Sequence, residues 1–294
     1  MTVLIIGSTG QVGAHLTEMM PHELFWGRVD VDLAQPETVF EAICAASPSL
    51  IINVAAYTAV DRAESEAGLA WRINAQSPAA MAMASSALNV PIIHLSTDYV
   101  FDGASNDAYA EDDGVRPINV YGRTKLAGEL AISSLCSPYW ILRTSWVFSE
   151  FGSNFAKTMI QLAEERDQLN IVDDQRGTPT YGGDLARVIT ALAEMISRSS
   201  APAPGTYHVS GGRSVTWYEF GREVLTRAHT RQLITRVPAI QAVPTMEYPT
   251  PAARPLNSIL KPSDAFLTRL GIPPDWEKGL DAMLTQMRSG SGPA

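Results

Sequence analysis

Cysteine, lysine and long apolar runs are all scarce in this chain. Its 294 residues include only two cysteines, Cys44 and Cys136, far apart and outside any CxxC pair. That excludes a disulfide framework and leaves both as packing residues. The five histidines show no HExxH or other ligand spacing, so no metal is expected. Basic side chains number 22 against 31 acidic ones, a net charge of −9, and they form no run. A nucleic-acid binder needs a basic footprint, so that class is set aside. The longest apolar stretches, such as Leu50 to Ala56, are strand-length, far short of the roughly 20 residues of a membrane span. Met1 to Gly7 runs straight into a glycine-rich loop, without the basic flank and long apolar region of a signal peptide. A cytoplasmic protein with neither a nucleic-acid nor a membrane partner is expected.

What the chain does have is apolar content of 46%, enough for one large core and a smaller one. Short apolar runs alternate with helical periods through the first half. Strands are predicted at Thr2 to Ile6, Leu24 to Trp26, Leu50 to Ala56, Pro91 to Thr97 and Tyr139 to Thr144. Helices are predicted at Gln11 to Met20, Pro36 to Ser47, Asp61 to Leu88 with a division at Pro78, and Asn119 to Leu135. Near-continuous apolar strands alternating with helices imply a parallel sheet covered on both faces. The fold class is therefore α/β, a doubly wound parallel sheet of Rossmann type with a smaller C-terminal α/β substrate-binding part. Helices at about Ser153 to Arg166, Gly183 to Ser197 and Thr216 to Ala228, a late strand at Thr206 to Ser210, and five prolines in Pro238 to Pro255 complete the pattern. Residues 1–145 are assigned to dinucleotide binding, with 181–200 returning to that part. Residues 146–180 and 201–294 are assigned mainly to substrate binding.

Gly7-Ser8-Thr9-Gly10-Gln11-Val12-Gly13 follows the first strand and opens the first helix. Glycines there allow a tight turn and close approach of a pyrophosphate to free helix amides. An acidic residue usually follows the second strand to hold the adenosine ribose. Here Gly27 and Arg28 come first, then Asp30 and Asp32. Arg28 stands where a 2′-phosphate would be met, which favours NADPH and leaves NADH possible, while Asp32 and Leu33 are placed to contact the adenine.

Tyr121 and Lys125 lie four apart on a predicted helix and so share a face. With nine tyrosines and few lysines, about 0.1 such pairs are expected by chance. A phenol is a poor acid at neutral pH, and a neighbouring ammonium lowers its pKa by favouring the phenolate. Tyr121 is thus the candidate proton donor and Lys125 its activator. Thr97 ends a buried strand, where the ligand crevice of a doubly wound sheet opens.

With these residues in place, the chain resembles the extended short-chain dehydrogenase/reductases, most closely their dTDP-4-dehydrorhamnose reductase branch. The matching segments include Gly7 to Gly13, Asn53 to Asp61, Ser96 to Phe101, Tyr121 to Glu129, Arg143 to Phe148, Asn154 to Met159 and Pro249 to Pro255. The resemblance implies reduction of the 4-keto group of a dTDP-sugar substrate by NADPH or NADH. It gives Thr97 the carbonyl hydrogen bond, Tyr121 the proton, and Lys125 the tyrosine and the nicotinamide ribose. It places Gly7, Gly10, Gln11 and Val12 at the pyrophosphate, and Ala55, Ala56, Tyr57 and Thr58 along the cofactor. Asp98, Tyr99, Trp146 and Asn154 would border the sugar, and Arg254 would meet the substrate diphosphate. Some relatives carry a glutamate on the first helix that helps bind magnesium between subunits. This chain has His15 there, and monomer and homodimer both stay open.

Two other readings use the same motifs. Dehydratases resemble one another in a Thr-Asp-Glu run, and here the run is Thr97-Asp98-Tyr99, which disfavours elimination. An epimerase acting on a nucleotide sugar would retain its dinucleotide on purification. A non-catalytic NADP-binding regulatory subunit would have no need of Thr97, Tyr121 and Lys125 together.

Overall fold

The computed structural model describes residues 2–289. Met1 and residues 290–294, at the outer ends of the two expected parts, lie outside the described residues. β1 (Val3–Ile6) leads through the glycine loop into α1 (Gln11–Met19), followed by β2 (Leu24–Trp26), α2 (Pro36–Ala46) and β3 (Leu50–Asn53). Next come α3 (Val60–Ser65), α4 (Ala67–Trp71), a π turn at Arg72–Gln76 and α5 (Ser77–Leu88). β4 (Ile92–Thr97), α6 (Val120–Leu135) and β5 (Tyr139–Thr144) complete the first half.

These strands lie parallel in the order β2, β1, β3, β4, β5. Their side chains alternate between two covered faces, as the twofold period of a strand requires. Val3 and Ile5 face one core and Leu4 and Ile6 the other. From β1 the chain moves outward to β2, then crosses back to β3 on the other side. The crevice beyond the carboxyl ends of β1 and β3 is therefore the switch point where such sheets take ligands.

The second half adds β6 (Val147–Phe148), α7 (Phe155–Glu165), β7 (Gln168–Val172), β8 (Arg176–Gly177) and β9 (Thr180–Tyr181). α8 (Gly182–Ser197), β10 (Gly205–His208), β11 (Val215–Thr216) and α9 (Trp217–Thr230) follow. β12 (Ala239–Val243), α10 (Asp264–Leu270) and α11 (Trp276–Ser289) end the described chain. α8 and α10 pack in the same core as α1 and the sheet. β10, within the stretch assigned mainly to substrate binding, pairs with β5 as the sixth strand of the central sheet. A separate core of Phe148, Met159, Leu169, Phe220, Trp276 and Leu280 joins α7, α9 and α11 to β7.

Two elements differ from the sequence-based expectation. The helical stretch predicted to divide at Pro78 divides instead at Glu66, between α3 and α4. Pro78 sits in the first turn of α5, and the π turn before it carries the helix past a residue that has no N–H to donate. In the proline-rich segment, β12 pairs in parallel with β7 over Ala239 to Val243, before the prolines from 244 onward resume.

Candidate active site

The glycine loop is closed by steric necessity. Gly7 has φ of +105°, and a Cβ there would lie 2.7 Å from the Ala55 nitrogen. A Cβ on Gly13 would lie 2.0 Å from the Gly7 carbonyl oxygen, so α1 packs directly on the turn. Gly10 is the N-cap of α1, and no side chain caps that end. The first amides of α1 are thus left for an anion, with the positive end of the helix dipole behind them. A cradle that a Cβ would fill, together with these uncapped amides, fits a dinucleotide pyrophosphate.

At the adenosine end the acids after β2 serve their own turn. Asp30 Oδ2 accepts from the Gly27 amide at 2.8 Å, and Asp32 accepts from the Ala34 amide at 3.0 Å. Arg28 is exposed and lines the pocket mouth, with no ion pair among the described residues. A free cation with the nearby carboxylates turned elsewhere suits a 2′-phosphate better than a bare ribose.

Across the crevice, Thr97 ends β4 and caps the short turn Asp98–Val100, accepting from the Tyr99 amide at 3.2 Å. Its hydroxyl donates to Asp98 Oδ1 at 2.9 Å. α6 is pressed against this turn, because a Cβ on Gly122 would lie 2.1 Å from the Tyr99 carbonyl oxygen. Asn119 caps α6 by accepting from the Gly122 amide at 2.8 Å. That docking brings Tyr121 beside Thr97. The protein packed around the Tyr121 phenol pushes it up to about 12, Thr97 partly offsetting the rise and Asp98 adding to it. Burial likewise pushes the Asp98 carboxyl up to about 7.

Lys125 is 2% exposed. Burial holds its ammonium down to about 8, against an upward pull from Glu129. Its Nζ donates to the Leu95 carbonyl at 2.7 Å and lies 3.2 Å from His94 Nε2. Burial is the largest influence on the Tyr121 phenol, and the Lys125 Nζ is engaged by Leu95 and His94.

The segment before Pro255 straps across the site. Arg254 grips Asp61 of α3 with both terminal nitrogens, at 3.0 and 2.7 Å, and Asn119 donates to the Ala253 carbonyl at 2.8 Å. This ion pair holds the Asp61 carboxyl below the usual carboxylate range, although burial is the largest single influence and opposes it. Trp146 has φ of +46° and stacks on Trp217 of α9, centroids 3.5 Å apart and planes within 7°.

A pocket of about 940 Å³ joins these parts. It brings together Gly7, Gly10, Gln11, Val12, Arg28, Asp32, Leu33, Ala55, Ala56, Tyr57, Thr58, Thr97, Asp98, Tyr99, Tyr121, Lys125, Trp146 and Arg254. Asn154, expected at the sugar, is not in its wall. The Asn154 side chain caps α7 through the Lys157 amide and donates to Ser149 O at 2.6 Å and Gln11 Oε1 at 3.0 Å, so its polar atoms are already engaged. Trp217 and Arg62 line the pocket and were missed. Trp217 reads in sequence as one more core aromatic of an amphipathic helix, and only the Trp146 contact marks it. His15 is buried beside Ser149 at 3.0 Å and Glu150 at 3.6 Å, joining α1 to the start of the second part. Among the described residues no group of three or more His, Cys, Asp or Glu is placed to hold a metal, and no helix is long and apolar enough to cross a membrane.

A glycine cradle at the switch point facing a Thr97, Tyr121 and Lys125 group across one pocket defines a dinucleotide-dependent oxidoreductase of the extended short-chain type. Comparison with known proteins sharpens that class. The RmlD substrate binding domain family matches residues 1–289, and the chain belongs to that family. It is 40% identical to a dTDP-4-dehydrorhamnose reductase of Salmonella typhimurium over 98% of both chains. It is 42% identical to one from Sinorhizobium fredii over 95% of each. The crystal structure of a Bacillus anthracis dTDP-4-dehydrorhamnose reductase in complex with NADP superposes with a TM-score of 0.86 at 36% identity, covering 97% of this chain and 100% of that one.

Proposed function

We propose that this chain reduces the 4-keto group of dTDP-4-dehydro-L-rhamnose to dTDP-L-rhamnose with NADPH, in the cytoplasm. The observation that carries the reading is Thr97 at the end of β4 with Tyr121 of α6 beside it, across one pocket from the glycine cradle, in a chain 40% identical to reductases of that name. The uncapped amides of α1 would hold the pyrophosphate, and Arg28 would meet the 2′-phosphate. The chemistry such a cofactor would supply is hydride transfer to the carbonyl carbon.

The chain's own residues handle the oxygen. Tyr121, kept protonated by burial, donates its proton as negative charge develops there. Thr97 contributes a second hydrogen bond once its hydroxyl turns from Asp98. A protonated Asp98 permits that turn, because it then donates to the Thr97 oxygen instead of accepting from it. Trp146 and Trp217 wall the sugar, and Arg254 exchanges part of its Asp61 pairing for the diphosphate.

The test is to follow NADPH oxidation with enzymatically generated dTDP-4-dehydro-L-rhamnose and to identify the sugar product by NMR. Stoichiometric oxidation yielding dTDP-L-rhamnose is expected. A purified protein that carries a tightly held dinucleotide and leaves added NADPH untouched would be an epimerase instead.

A further inference from the structure

Behind Lys125 lies a chain of buried polar groups that the reduction step does not use. Asn53 ends β3, and His94 is its partner across the strand pair on β4. Both are fully buried. Asn53 Oδ1 accepts from the Ala55 amide at 3.1 Å, which fixes the orientation of the side-chain amide. Its NH₂ group therefore faces His94 Nδ1, 2.9 Å away. An NH₂ group only donates, so Nδ1 must present its lone pair. A neutral imidazole then carries its hydrogen on Nε2, which points at Lys125 Nζ. The remaining partner of Nζ is the Leu95 carbonyl, which only accepts.

Two arrangements satisfy these groups. In one, His94 Nε2–H donates to Lys125, which is a neutral amine donating to Leu95. In the other, Lys125 is an ammonium donating to both Leu95 and a bare Nε2. His94 then carries its hydrogen on Nδ1, and Asn53 must turn its oxygen toward that hydrogen, abandoning the Ala55 amide. That amide belongs to the turn that closes over Gly7, where no slack is left.

We propose that Asn53 and His94 are positioning residues forming a buried relay that sets the protonation state of Lys125. The relay shifts the balance toward the amine, so that Lys125 gives up its proton at a lower pH than an ordinary lysine, and the Ala55 amide is the latch that makes it do so. It deepens the reductase reading and rests on it only for its kinetic consequence. Lys125 thereby becomes able to exchange a proton during turnover.

The other charged groups around Lys125 are accounted for. Glu129, one turn along α6, is locked to Arg143 of β5 by a contact of 2.8 Å. Tyr121 and Asp98 line the pocket side. On α3, Asp61 is held by Arg254, Glu64 accepts from the Val120 amide, and Arg62 pairs with Glu66. Arg72 of the π turn is exposed, Tyr139 of β5 is half-buried at the far end of that strand, and α4 and α5 carry no titratable side chain. His94 is held well below its usual range by burial first and by Lys125 second, consistent with a ring that stays neutral throughout.

The tautomer of His94 is read directly by long-range proton–nitrogen NMR on the ligand-free protein, independently of any substrate. Hydrogen on Nε2 is expected at a pH above that at which Lys125 gives up its proton, and hydrogen on Nδ1 in the parent at that pH overturns the proposal whatever the reaction proves to be. Asn53→Asp supplies acceptors to both His94 and Ala55, so the hydrogen should move to Nδ1. The alkaline limb of the kcat/KM profile for the keto sugar should then rise by about one pH unit, a tenfold easier protonation of Lys125. His94→Gln offers the ammonium a carbonyl without adding charge, and the limb should rise there too. Variants that lose kcat while the limb stays in place would show that the relay is only structural.

Discussion

Tyr121 is a weak acid in this structure, and that suits a donor whose proton must remain on it until the carbonyl oxygen gains charge. Tyr121→Phe keeps the ring that packs edge-on against Tyr99 at 5.7 Å and removes only the hydroxyl. Turnover should fall on the order of 10²- to 10⁴-fold while NADPH affinity is unchanged, measured by steady-state kinetics beside fluorescence titration. Arg28 has a separate role in the proposed function, where it would meet the dinucleotide and not the sugar. Arg28→Ala should bring kcat/KM for NADPH down about tenfold toward that for NADH, because a charge-assisted phosphate contact is lost while the rest of the cradle stays. An unchanged ratio of the two efficiencies would remove Arg28 from cofactor selection. At this scale the sequence was informative wherever a spacing encodes a shared face or a turn, as in Tyr121 with Lys125 and Gly7 with Gly13. It was uninformative where a side chain's partner is decided by packing. Nothing near Lys125 in sequence shows that its Nζ meets His94, and nothing near Asn154 shows that Gln11 and Ser149 occupy it.

The unit that aligns the reacting groups is the contact of α6 on the turn after β4. Gly122 permits it, since a Cβ there would lie 2.1 Å from the Tyr99 oxygen, which is backbone and cannot swing away. Gly122→Ala should therefore shift the start of α6, destabilising the protein by about 1–3 kcal/mol as overpacking does. Turnover should fall with it, because Tyr121 is the residue before the displaced one. Urea unfolding and kcat measured on the same preparation check both, and full activity in a destabilised variant would separate the helix docking from the chemistry. The strands and most helices of the first half were legible because each carries its own period, whereas the break at Glu66 has no such mark. β12 and β7 were not, because their pairing joins residues some seventy positions apart and short half-exposed strands have little pattern. α11 had a readable signal, with Trp276, Leu280, Met283 and Leu284 buried at helical spacing.

For the molecule as a whole, the net charge of −9 opposes two ligands that each carry phosphates. Attraction must come from the amides of α1, from Arg28 and from Arg254, all opening onto one pocket. A ligand that binds only the folded form stabilises it by mass action. NADPH at about a hundred times its dissociation constant should add about 2.7 kcal/mol and raise the melting temperature by several degrees. Added salt should reduce that shift, because the local positive groups at the pocket mouth are screened. A melting temperature indifferent to NADPH would count against the cradle. The wrapping of the chain end back over the sheet was the least legible feature at this scale, since β10 and α10 declare their partners only through long-range packing.

The face-to-face pair of Trp146 and Trp217 gives the pocket a native optical reporter. Indole rings in such contact share their electronic excitation, whereas Trp26 lines the pocket apart from the pair and Trp71, Trp140 and Trp276 are not in its wall. A sugar nucleotide seated against the pair changes the surroundings of both rings at once. Occupancy of the sugar site should thus be visible in the near-ultraviolet spectrum of the unlabelled protein.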